Sequence, residues 1–288
     1  MSARAKRLVV CADDYGSNAP VSDGIAALAA RGRVSSLTCL ANAPAFAAAA
    51  GALGALRAHA SVGLHLNLTE GRALSDGRRL APLARVLAAG AARGLSAKWV
   101  RGELAAQWDA FERACGRAPD FVDSHQHVHL LAQVRDAVID LVRERAGTGA
   151  GVAVRNLHPA FGPADSRVKR AAFALLGARA LARALDAHRI ARSGAFGGLQ
   201  RFAPDADVRA GWRGLLARAP DGALIACHPA AAAPPGDPIG PFRVLECEYL
   251  GSDAFAVDCA EFGVTLAPLR AEARTNAGAP EPDPPRTT

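Results

Sequence analysis

Short apolar runs alternate with longer amphipathic runs along most of this 288-residue sequence. Runs such as Leu8–Ala12 and Ser61–Leu68 have the length of buried strands, whereas Val21–Ala30 and Ala97–Cys115 are long enough for helices. About seven such strand–helix units follow one another by this pattern. The alternation predicts an α/β fold with mostly parallel strands, and the number of units favours an irregular (β/α) TIM-like barrel.

The same pattern predicts the remaining elements. Further strands are expected at Val34–Leu40, Phe121–Asp123, Val152–Asn156, Leu224–Cys227 and Val264–Leu266, and further helices at Ala45–Ala58, Leu131–Arg145, Ser166–Ala187, Asp205–Ala217 and within Arg243–Phe262. Thr69–Leu95 is rich in Gly and Arg and predicts a long loop. We expect residues 1–270 to form a single barrel-like domain, and residues 271–288 to be a disordered, Pro-rich tail.

Charge and composition exclude several classes of partner. The net charge is +7, but the basic residues are scattered and no aromatic-rich basic patch occurs, so we expect no nucleic-acid partner. The longest apolar runs are too short for a membrane span, and Leu8–Ala12 is too short for a signal peptide. The six Cys form no C-x-x-C pair and indicate free thiols in a reducing, cytoplasmic location. An Ala-rich helical exterior is compatible with a homodimer.

Polar residues stand at the carboxyl ends of the predicted strands, which is where ligands bind in parallel α/β folds. They are Asp13 and Asp14 after the first strand, Asn42 after the second, His65 and Asn67 in the third, His125, His127 and His129 after the fourth, Arg155 and Asn156 after the fifth, and His228 after a later one. We therefore expect these side chains to share one face of the barrel.

Two imidazoles and a carboxylate are a common ligand set for a divalent metal, with positions left open for water and substrate. The segment S-H-Q-H-V-H brings imidazoles together whether it is extended or helical. Structural alternatives remain open at this point. Asp14 could cap a turn, His65 could be a core residue, His228 could bond to the backbone, and Arg155 could be an ion-pair partner.

Four motifs in this order resemble the YdjC/ChbG carbohydrate deacetylase family, which includes a hopanoid-associated branch. The motifs are A-D-D-Y-G, G-L-H-L-N-L, D-S-H-Q-H-V-H and C-H-P, and the resemblance covers about residues 7 to 268. It implies an irregular barrel with one divalent metal that removes acetyl groups from N-acetylated sugars such as chitooligosaccharides. The hopanoid-associated branch implies a lipid-linked N-acetylglucosamine as the alternative substrate.

The resemblance also implies roles for individual residues. It makes Asp14, His65 and His125 the metal ligands and Asp13 the catalytic base, and His228 matches the late histidine of the family. We expect His228, or alternatively His127, to protonate the leaving amine. We further expect Arg155, Asn67 and His127 to contact the substrate. The ion would be Mg, Zn, Mn or Co, because a mixed nitrogen and oxygen ligand set does not select among them. Gln126 and Tyr15 depart from the family pattern.

Three other functions compete with the deacetylase interpretation. A metal-dependent phosphoesterase uses similar residues but often needs a second metal and more bridging carboxylates. A non-catalytic sugar- or metal-binding protein would not need Asp13 as a base. A nucleic-acid binder is suggested only by the basic charge. Residues 160–201 match no family motif, and we expect substrate choice to lie there and in the loop at residues 69–95.

Overall fold

The computed structural model describes residues 5–145, 151–162, 167–198 and 200–271. Within these ranges the strands are β1 Lys6–Tyr15, β2 Ser36–Cys39, β3 Ser61–Leu66, β4 Phe121–Ser124, β5 Ala153–Val154, β6 Phe196–Gly197, β7 Leu224–Cys227 and β8 Val264–Leu266. They are hydrogen-bonded in the order β5-β4-β3-β2-β1-β7-β6, and β8 pairs with the first residues of β1. Every pair of these strands is parallel.

The two edges of this sheet meet and close it into a barrel. Val154 on β5 forms a parallel bridge to Arg192, which leads into β6. The amide of Val154 donates to the Ala191 carbonyl at 2.8 Å, and the amide of Ser193 donates to the Val154 carbonyl at 3.2 Å. The predicted irregular (β/α) barrel with mostly parallel strands is therefore confirmed.

Helices pack around the outside of the barrel. In the described residues they are α1 Ala19–Ala30, α2 Phe46–Ala49, α3 Leu53–Leu56, α4 Leu83–Ala91, α5 Ala97–Cys115, α6 Ala132–Arg145, α7 Arg167–Leu176, α8 Ala178–Ala187, α9 Val208–Arg218, α10 Gly240–Gly251 and α11 Asp253–Glu261. No helix in this part of the chain is long and apolar enough to cross a membrane. The start of α1 illustrates the local chemistry, because the Asn18 side chain accepts from the Val21 amide and caps the helix.

Three predicted elements differ from the structure. Ala45–Ala58 is not one helix but α2 and α3 joined by a 3₁₀ turn, and Ser166–Ala187 is divided into α7 and α8 at Gly177. Thr69–Leu95 is not a loop throughout, because it contains α4. The predicted tail lies outside the described residues except for Ala271.

A continuous apolar cluster fills the space between the sheet and the helices. Trp108, Phe111, Phe121 and Trp212 have no exposed surface and are among the largest side chains in it. Buried polar side chains lie instead at the carboxyl ends of β1, β3, β4 and β7. Among them are Asp13, His65 and Asp123.

Candidate metal centre and active site

The first strand delivers two adjacent carboxylates to the same place, although neighbours in an extended strand point to opposite faces. The register between β1 and β2 shifts between Ala12 and Tyr15, and Asp14 has a left-handed φ of 75°. An irregularity of this kind changes the direction of a side chain. Asp13 and Asp14 are both buried, and each faces a histidine from another strand end.

Asp14, His65 and His125 converge, and each offers a ligand atom within 4.8 Å of the others. Asp14 Oδ1 lies 3.1 Å from His125 Nδ1 and 3.5 Å from His65 Nε2. Burial would lower the pKa of His125, but the carboxylates of Asp14 and Glu70 raise it to about 10. A strong attraction for positive charge therefore exists where the three side chains meet.

Asp123 fixes the orientation of His65, and sequence reasoning gave it no role. His65 Nδ1 lies 2.6 Å from Asp123 Oδ1, and both side chains are buried. When Nδ1 donates its proton to this carboxylate, the lone pair of Nε2 is left to face Asp14. Asp123 stands two residues before His125 in the motif D-S-H-Q-H-V-H, so its place at a strand end was the pattern that could have revealed it.

Arg155 lies beneath the carboxylates and has no exposed surface. Its two terminal nitrogens donate to both oxygens of Asp13, at 2.7 and 2.6 Å, and one of them lies 2.8 Å from Asp123 Oδ2. Burial would raise the pKa of Asp13, but the Arg155 guanidinium holds it below its ordinary value. Asp13 is thus kept ionised and in one orientation, with Thr38 Oγ1 donating to it at 3.1 Å.

His228 stands on the other side of Asp13, at the end of β7. Its Nε2 lies 4.0 Å from Asp13 Oδ2, and its ring packs edge-on against Phe202. Burial lowers the pKa of His228 to about 4, against the opposing charges of Asp14 and Asp13. The backbone amide of His228 donates to Glu246 Oε2 at 2.6 Å, so a buried carboxylate on α10 holds this part of the chain.

Arg243, also on α10, holds the second oxygen of Asp14. Its guanidinium donates to Asp14 Oδ2 at 2.8 Å and to Asp237 Oδ2 at 2.7 Å. Asp14 Oδ1 is therefore the oxygen that faces the two imidazoles. Sequence reasoning missed Arg243 and Glu246, since they lie 15 and 18 residues beyond His228 and no motif links them to it.

The three histidines after β4 do not stay together. Gln126 and His127 have left-handed φ values of 51° and 58°, which fit neither an extended nor a helical segment. His125 alone joins the cluster with Asp14. His129 bonds to Ser124 Oγ and to the Arg155 carbonyl, and burial lowers its pKa to about 4.

His127 and Asn67 occupy different surroundings. The His127 ring is in edge contact with Phe173 and Phe196, and its buried Nδ1 has no hydrogen-bond partner among the described residues. Burial lowers its pKa well below the ordinary value. The Asn67 side chain accepts from the amides of Thr69 and Glu70 at 3.0 and 3.1 Å, so it shapes the loop that follows β3.

The residues present fit a divalent cation at Asp14, His65 and His125. Two imidazoles and one carboxylate oxygen form a compact nitrogen and oxygen donor set of the kind that binds such ions. A second set, Asp13, His65 and Asp123, is also compact. Its two carboxylates are already paired with Arg155. In the first set Arg243 holds only Oδ2 of Asp14 and leaves Oδ1 facing the imidazoles, which makes the first set the better one.

The fold and site together define a (β/α) barrel with buried aspartates and histidines gathered at the carboxyl ends of its strands. The chain belongs to the YdjC-like family, whose model matches residues 7–261. The resemblance found in the sequence motifs is thereby confirmed.

Curated relatives share part of this chain. Human carbohydrate deacetylase is 39% identical over 145 residues, which are 46% of this chain and 44% of the human protein. The chitooligosaccharide deacetylase of Proteus mirabilis is 33% identical over 156 residues, which are 49% of this chain and 57% of that protein. The matched regions thus cover about half the length of these curated relatives.

Solved structures support the fold. A protein of Enterococcus faecalis, named provisionally as a cellobiose-phosphate cleavage protein, superposes with a TM-score of 0.68 at 22% identity and covers 92% of this chain and 98% of its own. A peptidoglycan N-acetylglucosamine deacetylase superposes with a TM-score of 0.51 at 12% identity over 92% of this chain and 87% of its own. At these identities the likeness concerns the fold alone.

Proposed function

We propose that this protein is a metal-dependent carbohydrate deacetylase, which hydrolyses the acetamide of an N-acetylated sugar to acetate and a free amino sugar. The observation that carries the proposal is the arrangement of Asp13 and His228 beside the trio of Asp14, His65 and His125. A base, an acid and a cation site then stand together, as amide hydrolysis requires. The names of the curated relatives support the same chemistry and suggest chitooligosaccharides as substrates.

A divalent ion held by Asp14, His65 and His125 would polarise the amide carbonyl and make a bound water acidic. Asp13 is the base, because it is ionised and held by Arg155 with one oxygen toward His228. It takes the proton of the water that attacks the carbonyl carbon. Arg155 is a positioning residue in this proposal, since its burial keeps it from the substrate.

His228 delivers a proton to the leaving nitrogen. Its ring is partly open to solvent, with 21% of the side chain exposed, so it can reach a substrate in the site. With its pKa lowered to about 4, the His228 imidazole is neutral near pH 7. It therefore takes up the proton that Asp13 removes from the water, across the 4.0 Å to Asp13 Oδ2, and passes it to the leaving nitrogen. His127 lies on the apolar side of the site, beside Phe173 and Phe196, and would contact the acetyl group. Asn67 would act through the loop it holds.

The test measures bound metal and acetate release from N-acetylglucosamine and its short β-1,4 oligomers. Wild type, Asp13→Asn and His125→Ala are compared with His59→Ala, in which an exposed histidine outside the site is removed. We expect Asp13→Asn to keep metal and lose 10²-fold or more in turnover, since general-base catalysis contributes about that much. His125→Ala should lose both metal and turnover, and His59→Ala should lose neither.

Two results would overturn the proposal. If the wild-type protein binds no metal at a saturating metal concentration, the proposed metal centre is ruled out. A protein that binds metal but hydrolyses an aryl phosphate instead of releasing acetate keeps the centre and assigns it to phosphoester cleavage.

A further inference from the structure

Helix α7 presents a complete apolar stripe to solvent. Val168, Ala171, Ala172 and Leu175 follow the i, i+3, i+4, i+7 spacing that normally faces a protein core. In α7 all four are exposed, and Val168 and Leu175 are 80% and 88% exposed. No residue of α7 is fully buried. The stripe is therefore uncovered by the part of the chain that the structure describes.

The next helix shows what this spacing usually does. Helix α8 follows α7 after the single residue Gly177, and its own stripe of the same spacing is fully buried. That stripe consists of Ala178, Leu181, Ala182 and Leu185. One helix of the hairpin thus completes the core, and the other turns an equivalent surface outward.

The opposite face of α7 fixes this orientation. Phe173 packs against the His127 ring with 5.0 Å between ring centroids. Lys169 Nζ donates to the Gln200 carbonyl at 2.6 Å and lies 5.3 Å from the centre of the Phe202 ring. Since Phe202 contacts His228, the inner face of α7 lies over the candidate active site. Turning the outer stripe inward would break these contacts.

Positive charge is concentrated in the segment of the chain that carries the stripe. Residues 167–192 contain seven Arg and Lys residues and one acidic residue, a net charge of +6 in a chain whose total is +7. Arg167 on α7 and Arg179 and Arg183 on α8 are exposed. The one acidic residue, Asp186, is paired with Arg192.

We propose that the outer face of the α7–α8 hairpin docks on an anionic lipid surface. An exposed apolar stripe flanked by basic side chains is what an interfacial helix presents to such a surface. A second copy of the chain is a poorer occupant, because α7 is only about 15 Å long and its stripe covers far less than the roughly 800 Å² per partner of a standard interface. Docking would place α7, whose inner face lies over the candidate site, at the lipid surface. The proposal goes beyond the proposed function, since it requires no turnover.

The test is flotation of the full chain with vesicles of phosphatidylcholine alone or mixed with phosphatidylglycerol. Val168→Ser combined with Leu175→Ser removes the stripe, and Arg179→Gln combined with Arg183→Gln removes flanking charge. Val257→Ser is the matched control, because Val257 is a 60% exposed apolar residue on α11.

We expect wild type and Val257→Ser to bind the anionic vesicles and to lose binding in high salt. The variant that lacks Arg179 and Arg183 should bind about 30-fold more weakly, since each basic residue near such a surface contributes about 1 kcal/mol and a tenfold change corresponds to about 1.4 kcal/mol. The variant that lacks Val168 and Leu175 should lose at least as much, since burying each of these side chains contributes about 1.5–3 kcal/mol. The proposal is overturned if wild type ignores anionic vesicles, or if Val257→Ser weakens binding as much as loss of the stripe does. It is also overturned if wild type is a dimer that loss of the stripe converts to a monomer.

Discussion

Single residues decide what the candidate site can do. The left-handed backbone of Asp14 lets adjacent carboxylates serve different partners, so that Asp13 meets Arg155 while Asp14 meets the imidazoles. A regular strand would have turned one of them away. Both carboxylates reach the candidate site because the strand is irregular at Asp14.

Replacing Asp123 by Asn should weaken metal binding about 10- to 100-fold, the usual cost of changing a group that orients a ligand. The substitution removes the charge that accepts the His65 Nδ1 proton. Isothermal titration of the metal-free protein measures the effect. Asp120→Asn is the matched control, because Asp120 lies just before the other end of β4 and pairs with Arg57. Equal metal affinities in the two variants would show that Asp123 does not orient His65.

The raised pKa of Glu246 predicts that its contribution to stability depends on pH. Burial raises its pKa to about 7, although the His228 amide, Trp212 and Gln200 donate to it. The pKa of this acid is higher in the folded protein than in the unfolded chain. The folded protein therefore holds the proton more tightly, and the contribution of Glu246 to stability falls as pH rises from about 4.5 to 7.

Glu246→Gln does not titrate and should escape this loss. Urea unfolding of metal-free protein at pH 5 to 8 should show the variant gaining on wild type by up to about 3 kcal/mol, since one pKa unit is worth about 1.4 kcal/mol. The difference should level off above pH 7. A difference that does not change with pH would contradict a raised pKa for Glu246.

At the level of elements, hydrophobic periodicity predicts the strands and helices that pack against the core. Strands such as Leu224–Cys227 and helices such as α5 are found where their patterns predict them. β6 was missed because its two residues carry no periodicity. The candidate ligands were among the polar residues expected at strand ends, and the family resemblance selected them from that set, whereas Arg243 and Glu246 reach the site only because α10 packs beside it. That placement comes from tertiary structure, which local pattern does not encode.

Gly177 separates α7 from α8, and its replacement tests whether that break is required. Its φ is +115°, and an added Cβ would lie 2.7 Å from the Leu130 carbonyl oxygen. Gly177→Ala should therefore destabilise the protein by about 1–3 kcal/mol, because both the backbone conformation and the contact oppose it.

Gly102→Ala is the matched control for this substitution. Gly102 lies within α5, and an added Cβ there meets nothing within 4 Å. It should stabilise the protein by about 0.5–1 kcal/mol through helix propensity. Thermal and urea unfolding measure both variants. If Gly177→Ala were as stable as Gly102→Ala, the break between the helices would not depend on glycine.

For the whole molecule, the candidate centre draws its residues from separate parts of the chain. Asp14, His65 and His125 come from β1, β3 and the turn after β4, and Arg243 joins them from α10. A cation that binds Asp14, His65 and His125 together can do so only when the barrel is folded. Its binding energy therefore adds to the stability of the entire fold.

Removing metal should lower the melting temperature of wild type. An ion present at 100 times its dissociation constant contributes about 2.7 kcal/mol, which corresponds to a shift of about 5 °C or more in a chain of this size. Thermal unfolding with and without a chelator measures the shift, and His59→Ala should behave as wild type does. His125→Ala should melt at the same temperature in both conditions, because it has lost a ligand. A chelator effect that persists in His125→Ala would mean that the stabilising ion binds elsewhere in the protein. Loss of the effect in His125→Ala would mean that the ion that stabilises the folded barrel binds at the proposed catalytic centre.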